Sequence, residues 1–327
     1  MNDSRLPDFS QLLLQLYRLA QRLPITEFQD AALDLLKLVL PFDSSLWGTA
    51  SGTPGGADIH TVHLHNKPVE MLAAYEPVKH QDTAVATMLS SNRMTRSFHL
   101  ESWFADPSQH EIRDVMRRFG IENMLATAVH DPRTRFAHWL LLYRADKDAV
   151  CTAEEVACLE LLAPHVMEAL AINRQIHLER LEPQDAGAPM RGSAIADLRG
   201  VIYHADAAFQ KLLRLQWPAW HEGSLPSPLL LHLAKGHARY TGSALVVTQR
   251  LEQHLLFLKG RPRCRADDLT PREHTIAQMV SRGDTHKEIA RILERSPATV
   301  RNHMQSIYDK LAVGNAAGLI DALRLAD

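Results

Sequence analysis

The stretch from Leu269 to Leu323 constrains this chain more than any other, because its helix boundaries are written in side chains with specific capping chemistry. Thr270 followed by Pro271, with Glu273 three residues on, is an N-cap, a proline at the first helical position and the acid of a capping box. Ile276, Met279 and Val280 form an apolar stripe behind it, and Gly283 supplies the left-handed residue that ends the helix. A second, short helix begins near Thr285 and turns Ile289, Ala290 and Leu293 inward, alanine at 290 letting the next helix cross closely. After a short turn the cap and proline recur at Ser296-Pro297. The third helix repeats Val300, Met304, Ile307 and Leu311 at spacings of four, three and four, so Thr299, Arg301, Asn302, His303, Gln305 and Lys310 fall on its other faces.

Three short helices with a tight turn before the third predict a helix-turn-helix. The third is sized to enter the ~12 Å major groove, and donors and amides are the side chains that read guanine and adenine edges or hold phosphate. Leu269-Thr270, Arg272-Glu273, Gly283, Lys287-Glu288-Ile289-Ala290, Leu293, Ser296, Thr299-Val300, Asn302-His303, Ile307, Lys310-Leu311, Val313 and Asn315 resemble, without a gap, the LuxR-type (GerE-like) DNA-binding family. The resemblance implies base-edge contacts from Arg301, Asn302 and Gln305, and phosphate contacts from Lys287, Thr299, His303 and Lys310. It implies double-stranded DNA as the partner, RNA polymerase as a further one, and a fourth helix, Ala316 to Leu323, as the face of a homodimer. Two places depart from the family's pattern. Glu294-Arg295 occupies turn positions where glycine and an aliphatic residue are usual, and Ala316 and Gly318 replace an arginine and a glutamate.

Upstream, residues 8–40 carry Leu12, Leu16, Leu19 and Leu23 at helical spacing, followed by AALDLLKLVL. SSLWGTA reads as a strand, TPGGAD as a turn and IHTVHLH as a second strand with period-two alternation. Helical patterning then runs to about Ser90, with a strand near TRSFHL and a helix at HEIRDVMRRFGI. Strands MLATAVH and AHWLLLYRA follow, joined by DPRTRF. Thr152 with Glu155 opens a long helix to about Leu181. This order predicts an α+β domain on an antiparallel sheet and resembles GAF-type sensor domains. EPQDAGAPMRG reads as a linker, and the strands and short helix of SAIADLRGVIYHADAAFQKLL with the hairpin SALVVTQRLEQHLLFLKG resemble a reduced PAS domain. KGRPRCR carries Lys259, Arg261, Arg263 and Arg265 at alternate positions and reads as a basic connector. The expected chain is therefore multidomain: an α+β GAF-like sensor domain (1–181), a linker (182–191), a small α+β PAS-like domain (192–258), the connector (259–266) and an all-α helix-turn-helix domain (267–327).

At 327 residues with 46% hydrophobic content, the chain has the apolar surface for more than one core. From Leu269 to Asp327 there are eight Lys/Arg against seven Asp/Glu, so tight DNA binding needs a favourable local arrangement and two copies on a two-fold site. Three cysteines form no disulfide framework and the N-terminus lacks a secretory core, which predicts a cytoplasmic protein with no membrane span. No phosphate loop, G-x-S-x-G, HExxH or paired-cysteine pattern is present, so neither an enzyme nor a cofactor is expected. The competing classes are a regulator whose N-terminal domains bind a protein instead of a small molecule, and an enzyme with a DNA-targeting tail.

Trp47, Tyr75, Asp82 and Trp103 form the set expected to line a small-molecule pocket, with core packing as the alternative. Tyr75 and Asp82 resemble the ligand-orienting tyrosine and aspartate of autoinducer-binding regulators, although Thr83 stands where those have proline. His63 and His65 share a strand face, but His60 breaks the spacing and structural roles are expected in place of metal ligation. Cys151 and Cys158 lie two helical turns apart, ~10 Å along the axis and beyond disulfide reach. Leu159, Leu162, Val166, Ala169, Asn173 and Ile176 alternate at three and four, a pattern that fits either a dimer seam or packing on the domain's own sheet.

Overall fold

The leucines at helical spacing near the N-terminus form α1 (Arg5–Arg22), which with α2 (Ile25–Leu36) lays Leu12, Leu16, Phe28 and Leu33 against a sheet. The computed structural model describes residues 5–53, 56–90, 95–131, 136–181 and 191–326. Parts of the turns TPGGAD and DPRTRF, and the linker up to residue 190, lie outside these. The chain divides into two compact units: Met1–Glu182 with Val201–Tyr203 and Gln253–Leu255, and Pro183–Gly200 with His204–Glu252 and Leu256–Asp327.

The first unit continues with β1 (Ser44–Thr53), β2 (Gly56–His65), α3 (Glu70–Tyr75), α4 (Thr83–Ser90), β3 (Thr95–His99), α5 (Leu100–Trp103), α6 (His110–Arg118), β4 (Asn123–Asp131), β5 (Phe136–Arg144) and α7 (Ala153–Arg180). Among the described residues its strands form one antiparallel sheet in the order β2-β1-β5-β4-β3. Alternation along β1 assigns successive residues to opposite faces. Trp47 packs with Phe28, Leu140 and Leu162 on the face covered by α1, α2 and α7. Leu46 packs with Phe98, Ile112 and Tyr143 on the other.

α7 opens on the expected capping box, Thr152 accepting from the Glu155 amide while the Glu155 carboxylate accepts from the Thr152 amide. Leu159, Leu162, Val166 and Ala169 are buried in the domain's own core. Asn173 is buried and its amide donates to the carbonyls of Ala20 and Leu23 at 2.9 Å each, closing the end of α1. The apolar repeat of α7 is thus spent on packing within the domain, and Asn173 holds a helix end where a coiled-coil register position was the alternative.

The second stretch holds β6 (Gly192–Asp197), β7 (Ile202–Ala205), α8 (Ala207–Gln216), α9 (Ser227–Ala234), β8 (Arg239–Thr241), β9 (Leu245–Glu252) and β10 (Leu255–Pro262). Its sheet order, β7-β6-β10-β9-β8, repeats the topology of the first sheet. Here the structure corrects the sequence reading. Residues 259–262 belong to β10, so the PAS-like sheet runs past residue 258 and the basic connector is not a free linker. Basic residues at every second position fit the period of a strand, and two of them, Arg261 at the end of β10 and Arg263 just beyond it, pair with the two acids that follow. Arg261, 8% exposed, makes a bidentate pair with Asp267 at 2.8 and 2.7 Å. Arg263 donates to Gly242 at 2.9 Å and pairs with Asp268. A short 3₁₀ turn, Arg265–Asp268, then leads into α10 (Pro271–Ser281), α11 (His286–Ile292), α12 (Pro297–Leu311) and α13 (Ala316–Arg324). Among the described residues no helix is long and apolar enough to cross a membrane.

Candidate nucleic-acid interface

The four C-terminal helices share a core of Ile276, Ala277, Ile289, Ala290, Val300, Ile307, Leu311 and Leu319, which Ala266 of the 3₁₀ turn joins. Each helix starts where capping chemistry predicts. Thr270, Thr285 and Ser296 accept from the amides three residues on, Pro271 and Pro297 take the first helical position, and Asn315 caps α13 through the Gly318 amide. The turn before α12 has Glu294 at φ +50, a left-handed position that glycine adopts without penalty. That is why glycine suits this position and why the glutamate here carries backbone strain. Gly318, by contrast, fits its place: a Cβ there would stand 3.1 Å from the Cβ of Val313, and its amide is already capped.

Burying Val300, Ile307 and Leu311 fixes the roll of α12, and the opposite side is what remains for solvent. Arg301, Asn302 and Gln305 are exposed there, one, two and five positions beyond Val300. Gln305 donates to Asp309 at 2.9 Å, an i,i+4 pair on the helix surface. Thr299 is exposed at the helix start, its hydroxyl 2.8 Å from that of Ser296, and His303 is half-buried. Lys287 is exposed in the first turn of α11.

Lys310 is differently placed from the others. Its ammonium donates to Glu273 at 2.6 Å, and Glu273, 6% exposed, also accepts from Ser306 at 3.1 Å and from the Thr270 amide at 2.9 Å. One carboxylate thereby caps α10 and clamps α12 onto it. Burial pushes the Glu273 carboxyl up, but the bonds from Lys310, Thr270 and Ser306 outweigh it and hold its pKa at about 2. A carboxylate held below its ordinary value adds stability above that ordinary value and loses it as pH falls toward 2. Glu273→Gln is therefore expected to destabilise this domain by about 1–2 kcal/mol at neutral pH. The gap to wild type should narrow from about pH 4.5 downward. Backbone hydrogen exchange of α10 and α12 across that range checks it. The capping role of Glu273 was readable from Thr270 and Glu273, whereas its reach to α12 depends on tertiary packing.

The residues expected to line a ligand pocket in the first unit do not share one site. Tyr75, Asp82 and Trp103 lie on one face of the sheet, while alternation along β1 sends Trp47 into the core on the other. The Tyr75 hydroxyl donates to Asp82 at 2.8 Å, and Asp82 also accepts from the amides of Ala84 and Val85, capping α4. Burial pushes the Asp82 carboxyl up against the pull of these bonds, and burial and Asp82 together push the Tyr75 hydroxyl up. Trp103 stacks edge-on against Phe98 with ring centres 4.6 Å apart. His63 and His65 both donate to one oxygen of Asp30, at 2.9 and 2.8 Å, and His65 accepts from Lys37 at 3.0 Å. Hydrogen bonding thus accounts for both rings. Among the described residues none of Cys151, Cys158 and Cys264 is in a disulfide.

Four short helices on one core, with a tight turn before α12 and one side of α12 left exposed, define a domain of the helix-turn-helix class. Residues 267–323 match the family model described as bacterial regulatory proteins, luxR family, and the C-terminal domain is a LuxR-family helix-turn-helix. Curated HTH-type transcriptional regulators of Mycobacterium bovis and Mycobacterium tuberculosis are 27% identical over 177 residues, which is 50% of this chain and 20% of each relative. The chain thus spans about a fifth of the length of these relatives. Among solved structures, the N-acylhomoserine lactone-dependent LuxR-family factor CepR2 of Burkholderia cenocepacia is 18% identical with a TM-score of 0.39, over 53% of this chain and 98% of that one. SdiA of Escherichia coli is 14% identical with a TM-score of 0.38, over 97% of each chain.

Proposed function

We propose that this chain is a cytoplasmic transcription regulator that binds a two-fold-symmetric DNA site as a homodimer, under the control of a signal received by its N-terminal domains. The exposed row of Arg301, Asn302 and Gln305 on α12 carries this reading, because the buried side of the helix aims that row away from the domain. In this reading the three side chains address base edges, and Lys287, Thr299 and His303 hold phosphates. Lys310 reaches phosphate only by sharing its charge with Glu273. The near balance of eight basic and seven acidic residues from Leu269 onward favours a dimer, since one copy gains little from counterion release. The matched relatives' description as transcriptional regulators supports the same role. RNA polymerase is the further partner proposed on this reading.

Selection of bound sequences from a random DNA pool by the full-length protein tests it. Enrichment of a two-fold-symmetric site is the expected result. An isolated half-site would overturn the dimer, and no enrichment even at low salt would overturn the DNA-binding reading. Lys287→Ala is expected to weaken binding to every sequence alike and to flatten the dependence of log Kd on log salt by about one. A loss confined to some sequences would show that Lys287 reads bases.

A further inference from the structure

The face of β1 and β2 that carries Trp47, Thr49, Thr61 and His63 borders a cavity of about 320 Å³. Gln29 of α2 and Leu170 and Arg174 of α7 line its helix side. Gln253 and His254 of a turn and Leu255 at the start of β10, which belong to the same compact unit, border it too. It lies on the Trp47 face of the sheet, away from Tyr75, Asp82 and Trp103.

Arg174 is the anomaly in this cavity. It is 7% exposed, its Nε is buried without a hydrogen-bond partner, and its contact is the ring of Tyr203, 5.1 Å from the guanidinium carbon. Among the described residues no carboxylate pairs with it, and none lines the cavity. Burial works against its charge, yet an arginine does not give up its proton. Buried charges are ordinarily paired, as Arg144 is with Glu155 and Arg261 with Asp267 in this same chain. A second group repeats the pattern: the indole N–H of Trp47, 1% exposed, is buried without an acceptor. The Thr49 hydroxyl is bonded to those of Thr61 at 2.8 Å and Tyr203 at 2.6 Å, and His63 is held by Asp30. A charged donor and neutral donors around a space of small-molecule size call for an acceptor that brings negative charge.

We propose that this cavity binds a small anion, the carboxylate or phosphate group of a low-molecular-weight ligand, with Arg174 meeting its charge and the Trp47 indole N–H as a neutral donor beside the Thr61 hydroxyl. The volume suits a small organic acid or phosphate ester and is too little for a folded partner. Such a ligand would supply the counter-charge that the fold withholds from Arg174. Its role as the regulatory signal rests on the function proposed above, whereas binding itself does not.

The test is the thermal midpoint of the full-length protein at constant ionic strength, with chloride replaced in turn by inorganic phosphate, acetate or benzoate. At least one of these is expected to raise the wild-type midpoint by several degrees, and Arg174→Met, which keeps the apolar stem and removes the charge, is expected to lose that rise. Trp47→Phe keeps the ring and drops the N–H, so it should reduce the rise and serves if Arg174→Met does not fold. A shift with phosphate alone assigns a phosphate-bearing ligand, and one with the carboxylates alone an organic acid. A wild-type midpoint that none of the three moves, or a rise that both variants retain in full, would overturn the proposal. No DNA is present in this measurement, so its failure leaves the DNA-binding reading standing, and the failure of DNA selection leaves the anion site standing.

Discussion

Replacing Arg301 and Gln305 together by alanine is expected to abolish recognition of a specific DNA site while leaving the protein folded. Both side chains are exposed on α12, and the contacts that hold the helix come from Val300, Ile307 and Leu311 on its other side. Alanine is the best helix former, so the substitutions cost the helix itself nothing through propensity. What Gln305 loses in the free protein is its surface pair with Asp309, worth about 0.2–0.5 kcal/mol. Each bidentate contact to a base edge is worth about 1–3 kcal/mol of discrimination. Losing two then costs about 2–6 kcal/mol, from roughly thirtyfold to more than ten-thousandfold in Kd. Kd for the selected site and for a scrambled duplex, measured at one salt concentration, separates the outcomes. The double variant should bind both duplexes as weakly as wild type binds the scrambled one. Undiminished preference for the selected site would mean that another surface reads the sequence.

The C-terminal domain was legible because its signals are local. A cap followed by a proline specifies a helix start, strengthened at Thr270 by the carboxylate of Glu273, and at Thr270 and Ser296 the helices start there. The strands of the first unit were legible for a similar reason, since period-two alternation in IHTVHLH needs no knowledge of the partner strand. The pairing of acids with bases was not. Alternate basic residues from Lys259 to Arg265 fit a solvated linker as well as a strand, and only the return of Asp267 and Asp268 decides for the strand. The apolar repeat of α7 was ambiguous in kind, because a seam between chains and a seam on the domain's own sheet use the same spacing. The four residues of the candidate pocket divide between two faces for a geometric reason. Trp47 and Trp103 are equally aromatic in sequence, but the parity of a residue along β1 decides which face it joins. Arg174 carried no signal, since an unpaired buried charge is visible only once burial is known.

Asp267→Ala is expected to be the most damaging single change outside a hydrophobic core. The Asp267 side chain is fully buried and accepts from the two terminal guanidinium nitrogens of Arg261, from Arg239 and from the Cys264 amide at 2.9 Å. Arg261 lies on β10 and Arg239 on β8, while the neighbouring Ala266 is part of the helix-turn-helix core. One carboxylate therefore ties the last sheet to the DNA-binding head. Removing it strips the buried Arg261 of its bidentate acceptor, and breaking a buried pair from one side costs about 3–5 kcal/mol. The neighbouring Asp268→Ala supplies the contrast. Its pair with Arg263 is half exposed, and such pairs contribute at most about 1 kcal/mol. Burial pushes the Asp267 carboxyl up, but Arg261 and the Cys264 amide override it and hold its pKa at about 2. Its contribution is then complete above the ordinary aspartate value and disappears as pH falls from about 4 toward 2. Urea unfolding of the two variants and the wild type at pH 7 and pH 3 reads both effects. A large loss for Asp267→Ala at pH 7 that shrinks at pH 3, beside a small loss for Asp268→Ala at both, is the expected pattern. Equal losses for the two variants would mean that Asp267 does not tie the sheet to the head.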